Sequence, residues 1–412
     1  MVQAHDSPAV ELADRLFRRE SGRMTAILLR RFGPSAVDDV EDIVQEALLR
    51  ACQTWPWKGI PDNPAGWLWR VAARLALDRL RRADRLDMTG TLPDVADGRA
   101  PDDLLVADDE LRLLFLCCDP VNGPETAIPL TLRLACGFST REIAAALLLD
   151  EATAAQRISR GKARLRGLQA GDLTALAGND LALRLHPVLN TLYLLFDGGY
   201  GANDPTRWIR EELCVEATRL CVLLAGHPKT TSPEVHALAA LFHLLTARLP
   251  ARQVREELVD LERQDRALWD RRLIGTGLRH LERSLGTAPP TVWHLLAGIA
   301  AEHARSAHWR DTDWQVILDH YDQLVLISDD PIVALNRAVA VAQVAGPVAG
   351  LAAVPDEASL LDYHLYHATR ARFLRDMGRR EEAGSALRRA IDLAPNAAVR
   401  DHLYKQDEVS PG

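Results

Sequence analysis

The chain has 412 residues, of which 48% are hydrophobic, and a formal net charge of −8. That length suggests two to four domains, each with ample apolar material for a packed core. The acidic balance excludes a uniformly basic nucleic-acid binder, so any basic surface must be local. No apolar run approaches the ~20 residues that a membrane span needs, which speaks against a membrane protein.

Residues 11–32 are predicted helical. Leu12, Leu16, Met24, Ile27 and Leu28 supply an apolar side, and Gly33-Pro34 stops the helix. The next stretch, DDVEDIVQEALLRACQTW, carries Val40, Ile43, Val44, Ala47, Leu48 and Ala51 at helical spacing. Its opposite face holds Asp39, Asp42, Gln45 and Glu46. Such a face is either simply solvated or a docking surface for a basic partner. Trp55–Pro64 reads as a loop from its Pro and Gly content.

A helix is predicted over Ala65–Arg82, with Leu68, Val71, Ala72 and Leu75 inward and Arg70, Arg74 and Arg81 outward. Trp67 and Trp69 stand near its start. Rings beside cations suit stacking on unpaired bases, although a tryptophan on an amphipathic helix is more often part of a core. Residues 50–85 carry a local net charge of +5. Residues 84–103 lack any sustained period and read as a linker. Helix returns at 104–118. A Pro/Gly/Asn turn follows over 119–125, and 128–136 leads on.

Ser139–Arg166 reads as two short helices with a bend. Ser139 or Thr140 caps the first, with Glu142 in its first turn, and Asp150 caps the second. Ala154, Ile158, Gly161 and Leu165 line one side of the second helix. Gln156, Arg157, Arg160 and Arg164 point elsewhere. Ala152–Arg166 holds five cations and no acid. A small-residue inner face with an Arg- and Gln-bearing outer face suits the DNA major groove, where arginine pairs with guanine and glutamine with adenine. Basic residues at a helix C-terminus also simply complement its dipole.

The remaining chain reads as nearly all helix. Leu181–Phe196 is strongly apolar and runs into Asp197-Gly198-Gly199-Tyr200-Gly201. That cluster follows a helix rather than a strand, so it is read as a helix-ending turn and not a nucleotide loop. Helices are predicted at Ile209–Leu224, Pro233–Thr246 and Asp265–Ser284. Ala371, Leu374, Gly378, Ala383, Leu387, Ala390 and Pro395 fit a tetratricopeptide spacing, and a weaker copy starts at Pro331 with Ala338 and Val341. Stacked repeats of this kind present a surface for a partner; plain helical packing without one is the alternative. The six cysteines form no CxxC pair, with Cys117 and Cys118 adjacent and Cys214 and Cys221 on one helix face. They read as reduced thiols in a cytoplasmic protein, and the N-terminus does not read as a signal peptide. The histidines, His364 and His367 among them, form no ligand triad, and no metal, cofactor or catalytic constellation is assigned.

Taken together, these stretches resemble the bacterial sigma factors of the extracytoplasmic-function class, within the sigma-70 family. DDVEDIVQEALLRAC is similar to sigma region 2.2, NPAGWLWRVAARLALDRLRR to region 2.4, and FSTREIAAALLLDEATAAQRISRGKARLR to the region 4 helix-turn-helix. The layout, with YLLFDGGYGAN over 193–203, resembles the subgroup carrying a C-terminal tetratricopeptide-type extension. The resemblance implies an all-α fold with a region 2 domain (1–85), a linker (86–103), a region 4 domain (104–170), a helical extension (171–330) and tetratricopeptide-like repeats (331–412). It implies that Asp39, Asp42, Gln45 and Glu46 dock on the clamp of RNA polymerase core. Asp62, Asn63, Trp67, Arg70 and Arg74 would meet the −10 element of promoter DNA, the loop Gly59–Asn63 holding a flipped base. Arg141, Thr153, Gln156, Arg157 and Arg160 would meet the −35 element. Leu148 stands where such motifs often have glycine, and Arg74 where asparagine is frequent. The implied protein is not an enzyme, and its extension regulates or supports it, with a protein partner as one route. The alternatives are a stand-alone helix-turn-helix regulator, or a ligand-sensing or enzymatic extension fused to a DNA-binding front half.

Overall fold

The computed structural model describes residues 8–82, 103–168, 179–201, 209–254, 257–356 and 358–408. Almost all of them are helical, and the chain divides into two compact units, Met1–Leu194 and Leu195–Gly412. The linker expected at 86–103 lies outside the described residues except for Asp103, which opens a helix.

The first unit contains α1 (Pro8–Phe32), α2 (Val37–Lys58), α3 (Pro64–Arg82), α4 (Asp103–Cys117), α5 (Pro124–Leu134), α6 (Thr140–Ala146) and α7 (Glu151–Arg166). It ends inside α8 (Asn179–Tyr200). The helical stripe of α2 forms as its spacing demands: Val40, Ile43, Val44, Ala47 and Ala51 are buried, while Asp39, Asp42 and Gln45 are exposed. α2 runs further than its composition suggests. Trp55 is anchored in the core, so the helix continues through Pro56 to Lys58, and the loop expected from Trp55 begins only at Gly59. Pro56 sits in the last turn, where its missing N–H removes a single bond. Gly59, at φ +82°, then ends the helix, its N–H donating to the Trp55 carbonyl at 3.0 Å. In α3, Trp69 is buried among the core residues rather than on the arginine-bearing face.

α1 packs on α2 and α3 and also on α4 and α5. Gly22 marks the closest approach, since a Cβ there would lie 2.0 Å from the Ala135 carbonyl oxygen. The first half of α8 belongs to the same unit. Val188, Leu189 and Leu192 are buried, and Arg184 pairs with Asp119 at 3.4 Å.

The second unit contains α9 (Glu211–Gly226), α10 (Pro233–Thr246), α11 (Leu249–Arg252), α12 (Arg271–Ser284), α13 (Val292–Arg305), α14 (Trp314–Ile327), α15 (Pro331–Ala345), α16 (Pro347–Ala353), α17 (His364–Asp376), α18 (Arg380–Asp392) and α19 (Ala397–Glu408). A two-residue antiparallel hairpin, Gln253–Val254 with Glu257–Leu258, follows α11. Every residue of α10 from Val235 to Leu244 is buried, because α9, α12 and α13 surround it. Phe242 stacks on Phe196 with ring centroids 4.3 Å apart. Further along, consecutive helices pair, α14 with α15, α15 with α16, α17 with α18 and α18 with α19. Ala371, Leu374, Ala383, Leu387 and Ala390 are buried where the repeat spacing put its small and large positions.

Two expectations in this half are shifted. The cluster Asp197-Gly198-Gly199-Tyr200-Gly201 does close a helix, but α8 runs through both Gly198 and Gly199 and stops only at Tyr200. Gly199 also serves close approach: its missing Cβ would lie 2.7 Å from the Arg210 carbonyl and 3.0 Å from Cys214 Sγ. The helix expected from Asp265 begins at Arg271, after a short 3-10 turn over Arg266–Leu268 that Asp265 caps.

The bend between α6 and α7 takes a left-handed residue without a glycine. Leu148 has φ +54°, and the Leu149 N–H donates to the Ala144 carbonyl at 2.8 Å. An L-residue with a side chain pays roughly 1–2 kcal/mol there. Leu148 is 55% exposed, so little packing compensates. Leu148→Gly is therefore expected to raise unfolding stability by about 0.5–1 kcal/mol after the entropy of glycine is subtracted, read as the shift of the urea midpoint.

Candidate nucleic-acid interface

The helix-turn-helix is built by local chemistry. Ser139 caps α6 in a full capping box: its hydroxyl accepts from the Glu142 N–H at 3.2 Å, and the Glu142 carboxylate accepts from the Ser139 N–H at 2.8 Å. Asp150 caps α7, accepting from the Thr153 N–H at 2.8 Å and the Thr153 hydroxyl at 2.6 Å. The buried side of α7 is Ala154, Ile158, Gly161 and Leu165, and it lies on α5. Gln156 and Arg160 are exposed, Arg157 is half-buried, and Arg141 is exposed on α6. Of the five residues expected on this face, Thr153 differs in kind, since its hydroxyl is occupied by the cap.

The second set sits around the α2–α3 connection. Asp62 and Asn63 are exposed, and Asn63 Oδ1 accepts from the Gly66 N–H at 2.8 Å, so this side chain caps α3. Arg70 and Arg74 are exposed one turn apart on α3. Trp67 is half-buried and leans edge-on against Trp55, with centroids 5.6 Å apart. The ring that stands in solvent is Trp57, 89% exposed at the mouth of the loop that leads to Asp62. Its signal in the sequence is slight, a single apolar side chain between Pro56 and Lys58 in a stretch whose Pro and Gly content reads as loop.

On the acidic side of α2, Asp39 and Asp42 are both engaged by Arg79 of α3, at 3.0 and 3.3 Å. Gln45 donates to Glu41 at 2.9 Å, and Glu46 pairs with Arg50 at 2.9 Å. The residues with the longest reach are two the sequence did not single out. Glu41 is buried and ion-paired with Arg133 of α5 and Lys162 of α7. Asp38 pairs with Lys162 at 3.3 Å and with Arg166 of α7. Their signal was faint, since both lie between the apolar stripe and the exposed face.

Burial pushes the Asp38 carboxyl up, but hydrogen bonds from Arg166 and Lys162, together with their charges, outweigh it and hold Asp38 below the usual carboxylate range. Arg30 with Asp109 at 3.1 Å adds a further tie between α1 and α4. The α1–α3 lobe and the α4–α7 lobe are thus held together by ion pairs and by the Gly22–Ala135 approach.

Residues 16–86 match the family profile of Sigma-70 region 2, and residues 124–165 match that of Sigma-70, region 4. The chain belongs to the sigma-70 family. Residues 184–285 of this sigma factor match a family of unknown function, DUF6596. The sigma factor is 38% identical over 390 residues to the uncharacterized protein R00370 of Rhizobium meliloti (strain 1021), covering 92% of this chain and 91% of that one. No solved structure matches it. As members of this family do, the sigma factor acts in transcription through DNA and RNA polymerase. Among the described residues no helix is long and apolar enough to cross a membrane.

Two outcomes test the lobe contact. Gly22→Ala improves the intrinsic helicity of α1 but places a methyl against the Ala135 carbonyl, so it should open or destabilise the lobe contact by about 2–4 kcal/mol. X-ray scattering would read it as an expanded particle with unchanged helical circular dichroism. Because the folded-state pKa of Asp38 is lowered, its contribution is complete above its ordinary value of 3.8 and is lost as pH falls through the lowered value. Native-state proteolysis between the lobes should therefore accelerate only below about pH 4, and Asp38→Asn should remove that step.

Proposed function

We propose that this protein is an alternative sigma factor of the extracytoplasmic-function class, which brings RNA polymerase core to its promoters and starts transcription there. The observation that carries the reading is the orientation of α7, with Ala154, Ile158, Gly161 and Leu165 inward and Gln156 and Arg160 free toward solvent. In this reading Arg141 meets phosphate, and Gln156, Arg157 and Arg160 approach base edges of the −35 element, while Thr153 works through its cap on Asp150. Asp62, Asn63, Arg70 and Arg74 follow the −10 strand. Trp57 supplies the exposed ring for an unpaired base, and Trp67, edge-on against Trp55, stands at the start of the helix that carries Arg70 and Arg74. Asp39, Asp42, Gln45 and Glu46 dock on the polymerase clamp. The protein performs no chemistry itself and works in the cytoplasm.

Elements at −10 and −35 lie about 25 base pairs, or roughly 85 Å, apart along the duplex. Lobes in contact do not reach both, so the ties from Asp38 and Glu41 to α5 and α7 would part on the promoter. The 86–103 linker spans up to roughly 60 Å if extended. The paired helices of the last third, α14 to α19, fit a tetratricopeptide-type extension whose surface receives a regulatory partner.

Full-length protein mixed with polymerase core should give transcripts from defined start sites; a folded protein that yields none on any template rules the reading out. Arg160→Ala should weaken −35-dependent initiation by about 1–3 kcal/mol and relax base preference at one position, whereas a uniform loss across promoters marks a phosphate contact. Trp57→Ala should reduce strand opening by about 1–3 kcal/mol, measured by permanganate footprinting, with no loss of folding stability.

A further inference from the structure

The second unit holds an unexplained concentration of buried positive charge. Arg248, at the start of α11, is buried, and Arg252 closes the same helix. Arg266, in the 3-10 turn before α12, is also buried. The three act on one another as like charges, Arg248 against Arg252 and Arg248 against Arg266, and burial lowers the pKa of both Arg248 and Arg266. None of the three forms an ion pair with a carboxylate among the described residues. Asp197 feels Arg252 electrostatically without pairing with it.

Arg266 has neutral anchors: it donates to the His303 and Ser306 carbonyls at 2.9 and 2.8 Å and to the Thr312 hydroxyl at 3.2 Å. Arg248 and Arg252 do not. Their Nε atoms are buried without a hydrogen-bond partner, and so are Tyr200 Oη and Trp269 Nε1. These four groups are neighbours. The Arg252 guanidinium lies 4.0 Å from the Tyr200 ring centroid, the Arg248 guanidinium lies 5.4 Å from that of Trp269, and Arg248 also acts on Tyr200.

Stacking on an aromatic ring returns to a guanidinium less than it gives up on leaving water, and a second like charge adds to the deficit. Four unsatisfied N–H and O–H donors on neighbouring side chains, two of them cationic, call for an acceptor that is itself charged. A carboxylate offers two oxygens. A phosphate monoester offers three terminal oxygens and up to two negative charges, enough for all four donors.

We propose that Arg248, Arg252, Tyr200 and Trp269 form a binding site for the phosphate group of a small phosphorylated ligand inside the helical extension. All four lie in the segment that matches the family of unknown function. The site does not depend on the promoter-binding reading of the front unit.

The test uses the full-length protein and inorganic phosphate as probe. Thermal unfolding midpoints are followed against phosphate, against citrate, and against sodium chloride at matched ionic strength. Phosphate should raise the midpoint saturably, beyond chloride and citrate. Arg252→Gln should raise the half-saturating concentration by about tenfold or more. Without phosphate, its midpoint should stay close to that of the parent, since the lost like-charge contact with Arg248 offsets the lost stacking on Tyr200. Tyr200→Phe, which deletes one donor and no packing, should weaken the phosphate response with an unchanged ligand-free midpoint. A phosphate effect equal to that of chloride would overturn the site, as would an equal response in both variants. Citrate acting as strongly as phosphate would overturn the phosphate assignment. A lower ligand-free midpoint for Arg252→Gln with an intact phosphate response would make Arg252 a packing residue and likewise sink the proposal.

Discussion

Glu41 holds a position that much of the front unit answers to. It projects from the polar border of α2 into a site where Arg133 of α5 and Lys162 of α7 close around it. A carboxylate taken out of water is tolerated only when its charge is answered, and removing both cations would leave an uncompensated ion in the interior. The arrangement therefore specifies one mutual placement of the two lobes rather than simply adding stability. Gly22 enforces the same placement sterically, since only a residue without a side chain lets α1 meet the Ala135 carbonyl. One contact is electrostatic and yields to salt or acid; the other is a matter of shape and is indifferent to both.

This has a bearing on the faces turned to solvent. Arg70, Arg74, Arg141 and Arg160 all remain exposed while the lobes are together. The cations spent on the lobe contact are others, Arg30, Arg133, Lys162 and Arg166. The basic content of α7 is thereby divided by helical phase, one part toward α2 and the other outward. Likewise Asp39 and Asp42 keep most of their surface in water although Arg79 neutralises them. A cationic partner at this face would exchange with Arg79, so its gain is the difference between two ion pairs, and selectivity follows more readily than strength.

Much of this was legible in the residues. The apolar spacing in α2 and α7 gave their buried sides, and the Ser139 and Asp150 caps stand where side-chain chemistry put them. Other features were hidden because they depend on what another part of the chain supplies. The course of α2 past Pro56 follows from the burial of Trp55, and α8 runs through two glycines because α9 presses on Gly199. Asp38 and Glu41 could not be ranked above their acidic neighbours without knowing that Lys162 would arrive beside them. The phosphate-site residues are spread from 200 to 269, and no local spacing joins them.

The helix α8 begins in one compact unit and finishes in the other. Val188, Leu189 and Leu192 are buried on the part that belongs to the front unit, while Phe196 stacks on Phe242 within the rear one. A gene cut just after the helix-turn-helix would strip the front half of its own lining, so a silent fragment would report a damaged fold and not a missing regulator.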